Sequence, residues 1–341
     1  MKLPTPIRGV LEAGRFLYLA TPNGEGPHVA PVVFVQWGGR LWVTTSRSSL
    51  KARLWKRDGR LGGLIRHGGL AVSFSGRARS YDLLDPGSWG ASFRRSPTLT
   101  LAAAKFTAKN ARFFAGYAVD ARHVPLAWTP PGRVFAGIEL HDVALLDVEA
   151  GEPLGTWTDL HDDDGEGDGD EQHEEAWEAG MRLADAEVPS ASSYRRSGGA
   201  WDPFDAVPPE VSERLGHAGE AVLAVGPRPV PAVWGRGEHG VVAGAPAGWV
   251  AWSLDGVDGS EVPATLVVDH RSAWRAREMT GVMVRGTGTL HGPASLDSGS
   301  KSAATVLMDL GADPDGSTLV RLDPERAVWW RGWTTATVRP P

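Results

Sequence analysis

Between Gly39 and Arg60 the chain reads GRLWVTTSRSSLKARLWKRDGR, and these residue types can hold an anion. Thr44, Thr45, Ser46, Ser48 and Ser49 place five hydroxyls in six residues, Arg47 sits among them, and Lys51 and Arg53 follow at once. Arg40 to Thr45 carry β-branched and aromatic residues that favour a strand. Ser and Thr are good N-caps, so the hydroxyl run predicts a strand that turns into a helix near Ser49. Free N–H groups of a helix start, hydroxyl donors and cations converging on one place suit a phosphate monoester. The plainer alternative is a capped amphipathic helix whose Lys and Arg are solvated.

The elements that must position this segment precede and follow it. FLYLATPNGEGPHVAPVVFVQWGGRLWVTT predicts a strand over Phe16–Thr21, a turn over Pro22–Pro27, a strand over His28–Gln36, a Gly38-Gly39 turn and a third strand. After the basic helix come LGGLI and LAVSFSGRARSYDL, two more short apolar runs. This order resembles the pyridoxamine 5'-phosphate oxidase-like, flavin-binding split β-barrel family, over Pro4 to about Asp85 and again over Arg133–Asp147, RVFAGIELHDVALLD. The resemblance implies that the second strand, His28, Val29, Ala30, Pro31, Val32 and Val33, lies along a flavin ring. It implies that Thr44, Thr45, Ser46 and Ser49 grip the phosphate and that the helix offers Lys51; Val43, Arg47 and Arg53 are counted with them as cofactor-binding residues. C-terminal Trp and Arg residues reach the ring or the substrate in that family, which brings in Trp330 and Arg331. Two positions depart from it: HVAPVVFV has no basic residue, and Leu50 stands where the oxidase itself has a cation. The implied function is a flavin mononucleotide (FMN)-dependent oxidoreductase moving a hydride to or from a small organic substrate. A deazaflavin coenzyme or haem on the same scaffold, and a cofactor-binding protein without turnover, are the alternatives.

Composition is consistent with that class. In 341 residues, 42% are hydrophobic, enough for a sizeable core and about two domains. The net charge of −6 supplies no basic field to recruit nucleic acid. With no cysteine there is no disulfide, thiolate nucleophile or cysteine metal site, so redox chemistry must come from a bound cofactor. No window approaches the roughly 20 apolar residues of a membrane span and nothing marks export, so a cytoplasmic location and no membrane partner are expected. The ten histidines show neither HExxH nor close i, i+4 pairing, and no metal site is expected. GRGEHG at Gly235–Gly240 satisfies GxGxxG but leads into a strand and predicts a hairpin; no GxSxG elbow occurs.

The second half echoes the first. LYLATPNGEGPHVAPVVF returns as AVLAVGPRPVPAVW at Ala221–Trp234, VSFSGRARSYD at Val72–Asp82 as VMVRGTGTLHG at Val282–Gly292, and FAGIELHDVALLDV at Phe135–Val148 as LVRLDPERAVWWRG at Leu319–Gly332. Three echoes in one order predict a mainly β chain with inserted helices, built as two tandem split β-barrels of six-stranded Greek-key type. The expected division is a barrel with the phosphate site over 1–150, an acidic insertion, helix and linker over 151–215, and a degenerate barrel over 216–341. The counterpart of VTTSRSSLKAR is VVAGAPAGWVAW at Val241–Trp252, without hydroxyl or cation, so one cofactor per chain is expected. Family members commonly dimerise with the cofactor at the interface. The resemblance therefore implies that the second half acts as the partner in an intrachain pseudo-dimer, with a packing or homodimerisation module as the alternative.

Two insertions remain. LHDDDGEGDGDEQHEEAWEAG at Leu160–Gly180 places Asp164, Glu166, Asp168 and Glu175 near calcium-loop spacing, but Glu171 occupies the apolar anchor position, and a solvated charge run is the reading preferred. A helix over Gln172–Ala186 and a linker over Pro189–Pro209 follow, then a short helix in PPEVSERL. Ser96–Val119 predicts one long helix with Leu99, Ala103, Phe106, Phe113 and Phe114 on its apolar face and Lys105, Lys109 and Arg112 solvated on the other.

Overall fold

A computed structural model describes residues 3–23, 26–82, 96–119, 132–158, 201–237, 240–255, 259–271, 276–291 and 303–341. The acidic stretch, its calcium-like spacing, the helix over Gln172–Ala186 and most of the linker lie outside the described residues.

Short strands separated by glycine turns give the first barrel: α1 (Thr5–Ala13), β1 (Phe16–Thr21), β2 (His28–Trp37), β3 (Arg40–Ser46), α2 (Leu50–Arg57), β4 (Arg60–His67), β5 (Leu70–Tyr81), α3 (Ser96–Lys109), α4 (Ala111–Val119), β6 (Arg133–Asp147) and β7 (Glu152–Trp157). The sheet runs β3-β2-β1-β4-β5-β6-β7 and closes through β3–β6, a six-stranded antiparallel barrel with Greek-key order and one trailing strand. Inside lie Leu17, Leu19, Phe34, Leu41, Ile65, Phe74 and Ile138, all fully buried, and α1 stoppers one end with Ile7 and Leu11.

The second barrel repeats the plan: α5 (Pro209–Leu215), β8 (Ala218–Ala224), β9 (Val230–Gly237), β10 (Gly240–Pro246), α6 (Ala247–Leu254), β11 (Glu261–His270), β12 (Thr280–His291), α7 (Ala303–Asp309), β13 (Ser317–Arg331) and β14 (Thr334–Val338). Its sheet runs β10-β9-β8-β11-β12-β13-β14 and closes through β10–β13. The echo extends to an irregularity. β5 bulges between Phe74 and Gly76, and β12 bulges between Arg285 and Gly286. A Cβ on Gly76 would lie 2.2 Å from the Glu139 carbonyl oxygen and one on Gly286 2.0 Å from that of Asp323, so only glycine fits either bulge.

The barrels share a core. Tyr18, Ala20, Leu64, Ala71, Ala144 and Leu146 of the first belong to one buried cluster with Val222, Trp249, Leu266, Val282 and Val320 of the second. Polar contacts pin the seam: the Tyr18 hydroxyl donates to Asp269 at 2.7 Å, Thr265 Oγ1 to the Pro27 carbonyl at 2.6 Å, and Arg285 to the Gly26 carbonyl at 2.9 Å. No helix among the described residues is long and apolar enough to cross a membrane.

The insertion Ser96–Val119 corrects the expectation of one helix, because it breaks in two at Asn110. The buried Asn110 side chain donates to the carbonyls of Phe106 and, across the interface, Phe34, which fixes the join on β2. Ala102 rather than Ala103 packs inward with Leu99 and Phe106. Lys105 and Lys109 are not simply solvated. Their ammonium groups lie 4.2 Å and 4.0 Å from the ring centres of Trp37 and Phe34, and burial pushes the Lys109 ammonium down to about 8.

Candidate functional site

Strand β2 shows why a cavity forms. Its first half, His28–Val33, pairs with β1, and only its second half, Phe34–Trp37, pairs with β3. Beyond Val43, β3 leaves β2 and keeps only its pairing with β6, which runs from Leu41 to Ser46 with Thr44 opposite Phe135 and Ser46 opposite Arg133. A cleft opens where the two strands part, and the free edge of β2 lines it. The cavity encloses about 350 Å³, within the range of small-molecule sites.

One end is polar. Thr44, Thr45, Ser46, Ser49, Leu50 and Lys51 reach it from β3 and the start of α2, and Arg133 from β6. Thr45 Oγ1 and Ser49 Oγ are 3.1 Å apart, and Ser49 caps α2 by accepting from the Ala52 N–H at 3.2 Å. A helix start leaves the N–H groups of Leu50 and Lys51 without an intrahelical acceptor. Arg133 is fixed in the corner by donating to Thr44 Oγ1 at 3.0 Å and to the Thr44 carbonyl at 2.9 Å. Burial, then the Arg133 guanidinium, lowers the Lys51 ammonium to about 8. His28 is lowered to about 3, by burial first and then by the positive charges of Lys51, Arg285 and Arg326, so it is neutral at pH 7. A site that depresses its own cations is one that an anion relieves.

The remaining walls are apolar. His28 to Val33 line one side; Phe16 and Phe113 contribute rings; and the second barrel contributes Met279, Met283, Val328, Trp330, Gly332, Trp333 and Thr335. The cavity therefore joins an anion-seeking corner of the first barrel to an apolar slot lined by both barrels, its methionines and tryptophans all from the second. A more open cleft of about 510 Å³ adjoins it through Phe16, but it mixes Arg214 and Arg271 with Glu220 and Asp269 and has no hydroxyl turn. Its charges leave no preference for an anion, so the smaller cavity is the stronger candidate site.

The structure brings together His28, Val29, Ala30, Pro31, Val32, Val33, Thr44, Thr45, Ser46, Ser49, Lys51 and Trp330 of the residues expected from sequence. Four stand elsewhere. Val43 points into the barrel core, fully buried. Arg47 turns to buried Asp82, at 2.7 Å. Arg53 is exposed on the side of α2 away from Lys51. Arg331 is also exposed, 3.7 Å from Glu210, because neighbours along a strand face opposite ways and Trp330 faces the cavity. Sequence reasoning missed Arg133, Phe16, Phe113, Met279, Met283, Val328 and Trp333. Arg133 had a signal, as the cation that begins the closing strand. Among the described residues no group of three His, Asp or Glu side chains could hold a metal ion.

No protein-family model matches the chain, and no curated protein matches it. Solved structures do. General Stress Protein 26 from Bacillus anthracis is 17% identical, covers 45% of this chain and 95% of its own, and has a TM-score of 0.28. A pyridoxamine 5'-phosphate oxidase-related, FMN binding protein from Nostoc punctiforme is 20% identical over 47% of this chain and 86% of its own, with a TM-score of 0.33. A FAD-binding protein from Mesorhizobium loti is 19% identical over 42% of this chain and 94% of its own, with a TM-score of 0.29. By the order and closure of its own strands, the chain is a tandem pair of six-stranded antiparallel split β-barrels.

Proposed function

We propose that this chain binds FMN in the cavity between its barrels and uses it as an oxidoreductase on a small organic substrate. The observation that carries the reading is the pairing of a single anion corner with an apolar slot in one cavity. Lys51, Arg133, the hydroxyls of Thr45, Ser46 and Ser49 and the start of α2 would hold the phosphate. The edge of β2 would meet the rim of the ring with peptide groups, except at Pro31, which has no N–H to offer. Trp330, Trp333, Met279 and Met283 would cover the ring and keep water from it. When bound, the flavin supplies the two-electron chemistry; no side chain need act as nucleophile.

Two features narrow the substrate. The one anion corner serves the cofactor, so a second phosphate ester has no counter-charge. No carboxylate is among the described residues that line the cavity, so a cationic substrate has no partner either. An uncharged, largely apolar molecule suits the slot. The same cavity would accept a deazaflavin coenzyme through the same corner, and neutral His28 could ligate haem.

Visible spectra and titrations test this. Purified protein titrated with FMN, deazaflavin coenzyme or haem should bind FMN tightest, with quenching of tryptophan fluorescence. Lys51→Ala with Ser49→Ala should weaken FMN without unfolding the barrel. Unchanged affinity in that double variant, or no binding of FMN, would overturn the assignment.

A further inference from the structure

The two barrels are copies, so the ligand corner has an equivalent in the second barrel, where β10 runs into α6. The register identifies the matching residues. Ser46 pairs with Arg133 at the end of β3, and Pro246 with Ser317 at the end of β10, so Ser317 stands in place of the cation. The Arg47-Ser48-Ser49 turn has no counterpart, because α6 begins directly after Pro246, with no side-chain cap. The facing wall corresponds as well. Met283 opposite Val328 matches Ser73 opposite Ala144, and Gly281 opposite Trp330 matches Ala71 opposite Leu146.

Where the first corner has a cavity against that wall, the second has indole rings. Trp249, 2% exposed, lies in one buried cluster with Ala71, Ala144 and Leu146, and Trp252 packs against the same cluster. Trp252 Nε1 donates to Ser73 Oγ at 2.9 Å, and Ser73 Oγ donates to the Pro229 carbonyl at 2.8 Å. Above the Trp252 ring, 4.1 Å from its centre, lies the Arg228 guanidinium. That guanidinium binds Asp142 of the first barrel at 2.8 Å and Asp255 of the second at 2.6 Å. A stacked ring beneath a cation with two carboxylates fills the space and ties the barrels together.

We infer that the second corner is a retired ligand site, filled by Trp249 and Trp252 and converted into the lock that docks the barrels, so that each chain holds one ligand. As to the ligand, the inference rests on the reading above, while the lock stands apart from it. Equilibrium dialysis of the full chain against FMN should saturate at one FMN per chain, and saturation at two would overturn the inference. The lock is measured without any ligand. Asp142→Asn keeps the volume but removes the inter-barrel charge, and should lower the melting temperature by about 5 °C. Trp252→Ala should lower it further or separate it into two transitions, while Arg53→Ala, on the exposed side of α2, should leave one transition near its original temperature. If Asp142→Asn and Trp252→Ala both melt like the unaltered protein, the lock is refuted. An absence of FMN binding with the lock intact would refute the flavin reading and, with it, the one-ligand count, leaving the lock established by its own measurement.

Discussion

The two walls of the cavity are made in different ways. The first-barrel wall comes mostly from one continuous stretch, His28 to Lys51, in which donors, hydroxyls and a cation follow one another along β2, β3 and the start of α2. The second-barrel wall is collected from Met279 just before β12, Met283 on β12, Val328 and Trp330 on β13, Trp333 in the turn that follows and Thr335 on β14, mostly apolar groups that could equally fill a core. A polar site must gather complementary groups at fixed directions, which a strand-turn-helix does locally. An apolar wall needs only area, and any strand that docks there can supply it.

This division can be broken from the polar side with the largest effect. Lys51→Ala combined with Arg133→Ala removes both corner cations, and charged hydrogen bonds contribute about 1.5–3 kcal/mol each. FMN affinity should fall by about 100-fold or more by fluorescence titration, while riboflavin, which lacks the phosphate, should bind both proteins alike. An equal loss for the two ligands would mean that the corner does not hold the phosphate.

The apolar wall should respond the other way. Trp330→Ala removes a ring whose stacking is worth about 0.5–1.5 kcal/mol, so FMN and riboflavin should both weaken by about three- to tenfold. A loss confined to FMN would erase the distinction between the walls.

The acidity of the corner sharpens the comparison. With its ammonium lowered to about 8, free Lys51 is charged below that pH and loses its proton above it, whereas a bound anion raises it again. The phosphate is fully ionised only above its second pKa of about 6. FMN affinity should therefore be greatest between about pH 6 and pH 8, falling on the alkaline side as Lys51 deprotonates and on the acid side as the phosphate protonates. Riboflavin binding should be flat over that range. A Lys51→Met variant should lose the alkaline limb; if the limb persists, another group is responsible.

The smallest effects are expected where the structure turns cations away. Arg53→Ala and Arg331→Ala should each change FMN affinity by less than about twofold, since exposed charges are strongly screened. A tenfold loss in either would move the site.

How much was legible follows the same line. The strand order, the turn at Ser49 and the corner hydroxyls were readable because a β-branched run, a cap and a helix are local events. So was the duplication, down to the glycines at the two bulges. Arg47 was misleading because its partner, Asp82, is thirty-five residues away and takes the guanidinium for itself. Arg331 and Arg53 could have been set aside from sequence, since adjacent strand residues face opposite sides and helical residues two apart do not share a face. Arg133 was visible as the cation that begins the closing strand, but its place in the corner depends on β6 pairing with β3 eighty-nine residues earlier. Asn110 also deceived, since a single helix period runs through it until its side chain finds Phe34 across the interface.

By itself the sequence determined which corner carries hydroxyls and cations at a helix start and which lacks them, because these groups lie within one turn of chain. Only the tertiary structure decided that the first corner opens onto an aromatic slot while the second closes on Trp249 and Trp252. That outcome depends on which face of each barrel docks on the other, and docking is set by the summed fit of many apolar contacts across the seam, none of which is specified by any one segment.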